Sequence, residues 1–207
     1  MAISQNFPST RPSLNLNFAR SKKLDPRITF TRTSSATYTD ENGLIKTAPA
    51  NEARFDHDPI TGECLGLLIE EQRTNLWNNS NDFTVWTKQT SGAGSVGIAV
   101  TNATLSPDGT SNSYRYFAQE SGSTFYSIYR GVAGISSNTT YIYSAFMKAG
   151  EISSPSLVVF DASPGSASFV NFNISNGTIN NIFSNATTTI STASTITNYG
   201  NGWYNCS

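Results

Sequence analysis

Ser168-Phe169-Val170-Asn171-Phe172-Asn173-Ile174, then Ser175-Asn176-Gly177, then Thr178-Ile179-Asn180-Asn181-Ile182 is the stretch on which the reading of the fold turns. Two short runs alternating apolar and polar residues flank a break of turn-forming residues, the pattern of two neighbouring strands. The alternation recurs from about residue 80 onward. Strands are expected at 95–101, 113–118, 124–130, 140–148, 157–161, 168–174, 178–182 and 188–197. Ser106-Pro107-Asp108-Gly109-Thr110 and Ser163-Pro164-Gly165 mark further breaks. No helical period interrupts the series, so the sequence predicts an antiparallel β-sandwich or jelly roll.

Within 140–148, Tyr141, Tyr143, Ala145 and Met147 fall on one strand face and Ile142, Ser144 and Phe146 on the other. So much apolar material on both faces is expected of a central strand. The last residues, Trp203-Tyr204-Asn205-Cys206-Ser207, read as a strand just begun after a glycine-rich turn. A sandwich ending there would leave its partner with a bare edge, so the fold is expected to be C-terminally incomplete in this sequence.

Composition agrees with an all-β chain. Of 207 residues, 37% are hydrophobic and only 13% charged, against roughly 25% charged in average domains. Ser, Thr, Asn and Gly make up the difference, and such residues suit strands and turns better than helices. Nine Tyr and twelve Phe supply enough apolar mass for a core, so the chain is not disordered by composition. The net charge of −1 gives no sign of a nucleic-acid partner. No apolar run approaches membrane-spanning length, so no membrane insertion is expected. Cys64 and Cys206 are expected to be free thiols of a cytosolically assembled protein, as no leader-like pattern opens the sequence.

The charges are unevenly spread. Residues 1–75 hold nine of the thirteen Lys and Arg and nine of the fourteen Asp and Glu. Residues 1–27 contain Pro8, Pro12 and Pro26, and Arg11, Arg20, Lys22 and Lys23 precede the first acid, Asp25. They read as an extended basic arm, either laid on an acidic protein surface or solvated. Residues 28–76 read as short strands and hairpins, beginning with an expected strand at 28–32. Asp40-Glu41-Asn42-Gly43 turns a first hairpin, since Asn-Gly accepts positive φ. Asp56-His57-Asp58-Pro59-Ile60-Thr61-Gly62-Glu63 turns a second, with Pro59 at its entry and Gly62 at its exit. This region has little apolar mass for a domain of its own. Residues 77–207 form the expected sandwich.

No arrangement of residues carries catalytic chemistry. The one histidine, His57, lies in an expected turn, where Asp56 and Asp58 serve as turn formers rather than triad partners. Asp56, Asp58, Glu63 and Cys64 have no metal-ligand spacing, so neither a metal nor another cofactor is expected. Beyond residue 80 the acids are Asp82, Asp108, Glu120, Glu151 and Asp161, mostly in expected loops, and nothing pairs them as a glycosidase would. Trp86 and Trp203 suit inward-facing strand positions rather than a sugar platform; Trp77 fits either role. The chain is therefore expected not to be an enzyme, with no catalytic, cofactor or metal residues.

One run is longer than any motif: Ile28-Thr29-Phe30-Thr31-Arg32-Thr33-Ser34-Ser35-Ala36-Thr37-Tyr38, Gly43-Leu44-Ile45, Ala53-Arg54-Phe55-Asp56-His57-Asp58-Pro59, Thr61-Gly62-Glu63, Leu65-Gly66-Leu67-Leu68-Ile69-Glu70-Glu71 and Arg73-Thr74-Asn75-Leu76. It resembles a segment near the N-terminus of many bacteriophage tail-fibre and virion appendage proteins. The later part resembles the jelly roll of carbohydrate-binding modules through Ser106-Pro107-Asp108-Gly109-Thr110, Tyr141, Ser144 to Gly150, and Gly202-Trp203-Tyr204. The resemblance implies a structural virion protein, the N-terminal part of a tail fibre or related appendage. It further implies attachment to tail, collar or capsid proteins through residues 1–75, location on the particle, a homotrimer, and contact with host surface glycan. Two alternatives are a module recognising host glycan and the N-terminal part of a depolymerase tailspike. The apolar run Leu67-Leu68-Ile69, pointing to both faces of a strand, also calls for cover from other chains or from the sandwich.

Overall fold

Hairpin chemistry and alternation shape most of what is seen. A computed structural model describes residues 14, 16–77, 80–90, 96–100, 104–118, 126–136, 138–160, 167–184 and 194–207. The chain divides into two units, Met1–Glu70 and Glu71–Ser207. Strands dominate both, so the chain is all-β.

The first unit consists of two hairpins and one helical turn. β1 (Ala36–Thr39) pairs antiparallel with β2 (Ile45–Ala48), and β3 (Phe55–His57) with β4 (Cys64–Leu67). Both turns lie where the turn residues predicted them. In the first, the Asp40 carboxylate accepts from the backbone N–H of Asn42 and of Leu44, while Gly43 takes φ +75°. In the second, the Asp58 carboxylate accepts from Ile60 and Thr61, while Gly62 takes φ +70°. Burial opposes ionisation of Asp40, but these N–H donors outweigh it and hold its pKa below the ordinary carboxylate value. The donors to Asp58 depress its pKa likewise.

The two turns also fit against each other. A Cβ on Gly43 would collide with the Pro59 carbonyl oxygen, and one on Gly62 would come within 2.7 Å of the Glu41 carbonyl oxygen. Each glycine is thus needed twice, for its φ and for the space it leaves.

Two expectations for this unit fail. Inside the arm read as extended, Phe18–Ser21 makes a helical turn, α1, with the Asn17 side chain accepting from Arg20 N. Residues 28–32 form no strand. Arg32 instead exchanges hydrogen bonds with Asn51, whose left-handed backbone (φ +62°) lets its side chain and N–H face Arg32 together. The Arg32 guanidinium then donates to the carbonyls of Ser34, Ala48, Pro49 and Glu52. This ties the segment to a loop, where pairing with a strand had been expected.

Among the described residues, the second unit carries two three-stranded and two two-stranded sheets. β5 (Thr87–Thr90) pairs with β8 (Tyr126–Tyr129), and β6 (Val96–Val100) with β7 (Tyr114–Ala118). β10 (Ser156–Phe160), β11 (Ala167–Asn173) and β12 (Thr178–Phe183) form one larger sheet with β11 in the middle. β9 (Ala145–Lys148), β13 (Ile196–Asn198) and β14 (Trp203–Cys206) form the other, with β14 in the middle. These small sheets are coarser than the expected jelly roll.

β11 shows the alternation that opened the sequence reading. Ser168, Val170 and Phe172 are buried, and the residues between them are half-buried. Val170 and Phe172 join Leu157, Ile174 and Cys206 in one core, against which Tyr143, Ala145, Met147, Ile179, Ile196 and Tyr204 pack. Residues from both three-stranded sheets thus share a single interior. Burial pushes the Cys206 thiol up to about 11, so it behaves as a small apolar side chain. Both cysteines are free.

Three further readings of this unit change. Only Ala145–Lys148 of the 140–148 run is strand. It lies at the edge of its sheet, while Tyr141 and Ile142 are exposed. The final strand, read as one just begun, is the middle strand of its sheet: β14 pairs with β13 on one side and β9 on the other. Of the strand expected at 188–197, residues 188–193 lie outside the described residues, and β13 occupies its end.

Candidate attachment surface

The first unit is held together in an unusual way. Among its described residues Ala48 is the one buried apolar side chain; Thr39, Arg54 and His57 are the buried polar ones. The two hairpins are joined by side chains that reach backbone groups of β1. Arg54 Nη1 donates to the Thr37 carbonyl at 2.7 Å. The Asp56 carboxylate accepts from Thr39 N at 2.7 Å, and His57 Nδ1 lies 3.1 Å from the Thr39 carbonyl. Thr37 and Thr39 alternate along β1, so all three bonds serve the edge that β2 leaves free. A carbonyl can only accept, so His57 Nδ1 carries the proton. The most motif-like residues of the segment therefore replace a strand-to-strand ladder.

His57 was expected in a turn. It is the last residue of β3 and is buried, because its ring is the group that reaches the Thr39 carbonyl. Neither Asp56 nor Asp58 is brought to its Nδ1. Among the described residues no three of His, Cys, Asp and Glu gather where they could hold a metal ion.

Bonding the interior through polar groups leaves apolar side chains outside. On β4, Leu67 shares a face with Phe55, the residue opposite it, and Leu65 is the extra residue of a β-bulge, left without a partner between Cys64 and Gly66. Leu65 is 64% exposed, and Ile69, just past the strand, is 77% exposed. Phe18 and Ala19 of α1 lie over Gly66, which points to the opposite face. Leu14, Leu16 and Ile60 are exposed as well. The expected run Leu67-Leu68-Ile69 is thus partly covered: Leu67 and Leu68 are half-buried and Ile69 is not. The chain then leaves through 71–76, all exposed.

In the second unit, two of the three tryptophans pack in an aromatic cluster. Trp77, which fitted either role, sits 4.9 Å from the Trp86 ring and 4.7 Å from Tyr143, centroid to centroid. Phe83 and Tyr114 extend the cluster. Trp86 is buried, and Trp203 Nε1 donates to the Leu105 carbonyl at 2.8 Å.

The acids of this unit serve structure too. Asp82 accepts from the Thr84 hydroxyl, Thr84 N and the Tyr114 hydroxyl, and these donors depress its pKa. Burial works against ionisation of Asp108, but Ser106 and Thr110 donate to it and lower its pKa overall. Glu151 pairs with Arg115 at 2.9 Å. Glu120 and Asp161 lie outside the described residues.

No family model, no curated protein and no solved structure matches the chain.

Proposed function

We propose that this chain is a structural component of a bacteriophage particle, the N-terminal part of a tail fibre or related appendage, attached to other virion proteins through residues 1–75. The observation that carries this reading is the exposed apolar set on a unit with a polar interior: Leu65 and Ile69, with Leu14, Leu16 and Ile60. On this reading those side chains are covered in the assembled state. The resemblance of residues 28–76 to appendage segments supplies the identity of the assembly. On this reading residues 77–207 are a jelly-roll spacer, a description supported by the core that the two three-stranded sheets share.

The test is incorporation. Particles assembled with a chain lacking residues 1–75 should contain none of it after purification. A Leu65→Glu, Ile69→Glu variant, changed only at exposed positions, should fold and yet incorporate at least tenfold less. Normal incorporation of either chain overturns the proposal.

The same surface supports a homotrimer, because three copies about an axis would cover Leu65, Leu67 and Ile69 in a closed arrangement. Threefold density for the first unit in averaged particle images is the expected result. Isolated monomers with these side chains against their own chain would exclude it.

A second reading, recognition of host glycan by the second unit, has one observation in its favour. Val158, Phe169 and Phe183 stand opposite one another across β10, β11 and β12, on the face turned from the core, with Phe160 beside them. Val158, Phe160 and Phe183 are among the exposed large apolar residues. Phenylalanine rings offer a sugar its stacking face without hydrogen bonds, so such binding would be weak.

A further inference from the structure

Arg54 is the one buried cation among the described residues, 4% exposed, and its counter-charge has an informative position. Arg54 precedes β3, and its Nη1 bonds the Thr37 carbonyl of β1. The same nitrogen lies 3.4 Å from Glu70 Oε1, and the Glu70 side chain is 52% exposed. Glu70 is the last residue of the first unit. The Arg54 carbonyl meanwhile accepts from Leu68 N at 2.9 Å. One residue thus grips β1 and, through main chain and side chain together, the segment by which the chain leaves.

The nearest other acid on that strand, Asp56, has its carboxylate on Thr39 N. Arg54 Nε has no hydrogen-bond partner among the described residues. The guanidinium is therefore under-satisfied, and among the described residues Glu70 is the one carboxylate in ion-pair contact with it. Exposed ion pairs contribute little. A pair with one buried member differs, because losing the partner strands a charge away from water.

We infer that Arg54 and Glu70 form a latch that fixes the exit of the chain from the first unit and makes the order of that exit depend on the folding of β1. The latch is a property of the unit alone and does not rest on the virion reading. It gives the exposed run 71–76 a fixed starting point on the β1–β4 body.

The test uses the full chain with Glu70→Gln and, as its neighbour control, Glu71→Gln. Glu71 pairs with Arg73, and both side chains are largely exposed. Backbone ¹⁵N relaxation should show order parameters dropping from rigid values toward 0.6 or below for residues 69–76 in Glu70→Gln and unchanged in Glu71→Gln. Hydrogen exchange at Thr39 N should quicken at least tenfold in Glu70→Gln and stay unchanged in Glu71→Gln. Glu70→Asp, which keeps the charge on a shorter arm, should fall between the parent and Glu70→Gln on both readouts. If Glu70→Gln unfolds the first unit, the order parameters are read from Glu70→Asp. Identical profiles for the parent and the Glu70 variants, or equal effects of the Glu70 and Glu71 changes, would overturn the latch.

Discussion

Replacing Gly43 with Ala should unfold the first unit selectively, at a cost of about 3 kcal/mol or more. Two penalties combine. A non-glycine residue at φ +75° loses about 1–2 kcal/mol to the left-handed backbone. The new Cβ would also collide with the Pro59 carbonyl oxygen, a backbone atom that can move only if the second hairpin turn moves. That turn is fixed by the Asp58 side chain and carries Gly62 against Glu41, so displacement of one turn dislodges the other. Amide exchange in β1 to β4 of the full chain should rise by roughly a hundredfold or more, while that of β11 and β14 stays unchanged. Gly131→Ala is the contrast: a Cβ there meets nothing within 4 Å, and its effect should stay within about 0.5 kcal/mol. Native-like exchange in Gly43→Ala would mean that the two turns are not interlocked.

Phe172→Ala should be the most damaging single change in the second unit. Phe172 is fully buried on the middle strand, among Leu157, Val170, Ile174 and Cys206. Truncation removes the ring and leaves a cavity, which costs about 3–5 kcal/mol in well-packed cores. The β-bulge beside it, where the β11–β12 register shifts between Asn171 and Phe172, limits how far the strand can close over the gap. Chemical denaturation should show a lowered midpoint for the second unit, with the first unit's transition in place. Phe172→Leu, which keeps most of the volume, should lose well under half as much. A loss below about 1 kcal/mol for the alanine variant would show that the two sheets do not share one packed interior.

Side-chain chemistry made some of this structure legible and left other parts hidden. Turns were readable because single residues decide them: Asp40 and Gly43, Asp58 and Gly62. Strand positions in the second unit were readable because alternation reports which face a residue takes. Alternation says nothing about which edge of a strand is paired. That is why the run 140–148 looked central and β9 proved to be an edge. Residues 28–32 alternate well enough for a strand, but Asn51, remote in sequence, took the backbone bonding of Arg32. The ladder made by Arg54, Asp56 and His57 was hidden for a related reason. Buried side chains that bond a backbone edge leave no periodic signature, and acids near a lone histidine suggest a turn. The candidate surface was partly visible, since the apolar residues of the second hairpin exceeded what so small a unit could cover. Which of them stay exposed depended on α1, a helical turn with no apolar repeat to announce it.

The polar interior of the first unit has a thermal consequence. The heat capacity gained on unfolding comes mainly from apolar surface newly in contact with water, and exposure of polar surface subtracts from it. A unit in which Ala48 is the one buried apolar side chain among the described residues has little of the first contribution and much of the second. Its stability should vary gently with temperature, with neither a sharp optimum nor early failure in the cold. The second unit, built around Phe172 and its neighbours, should follow the ordinary curved profile. The two halves of the chain would then differ most at low temperature, where the hydrophobic contribution weakens and directional bonds do not.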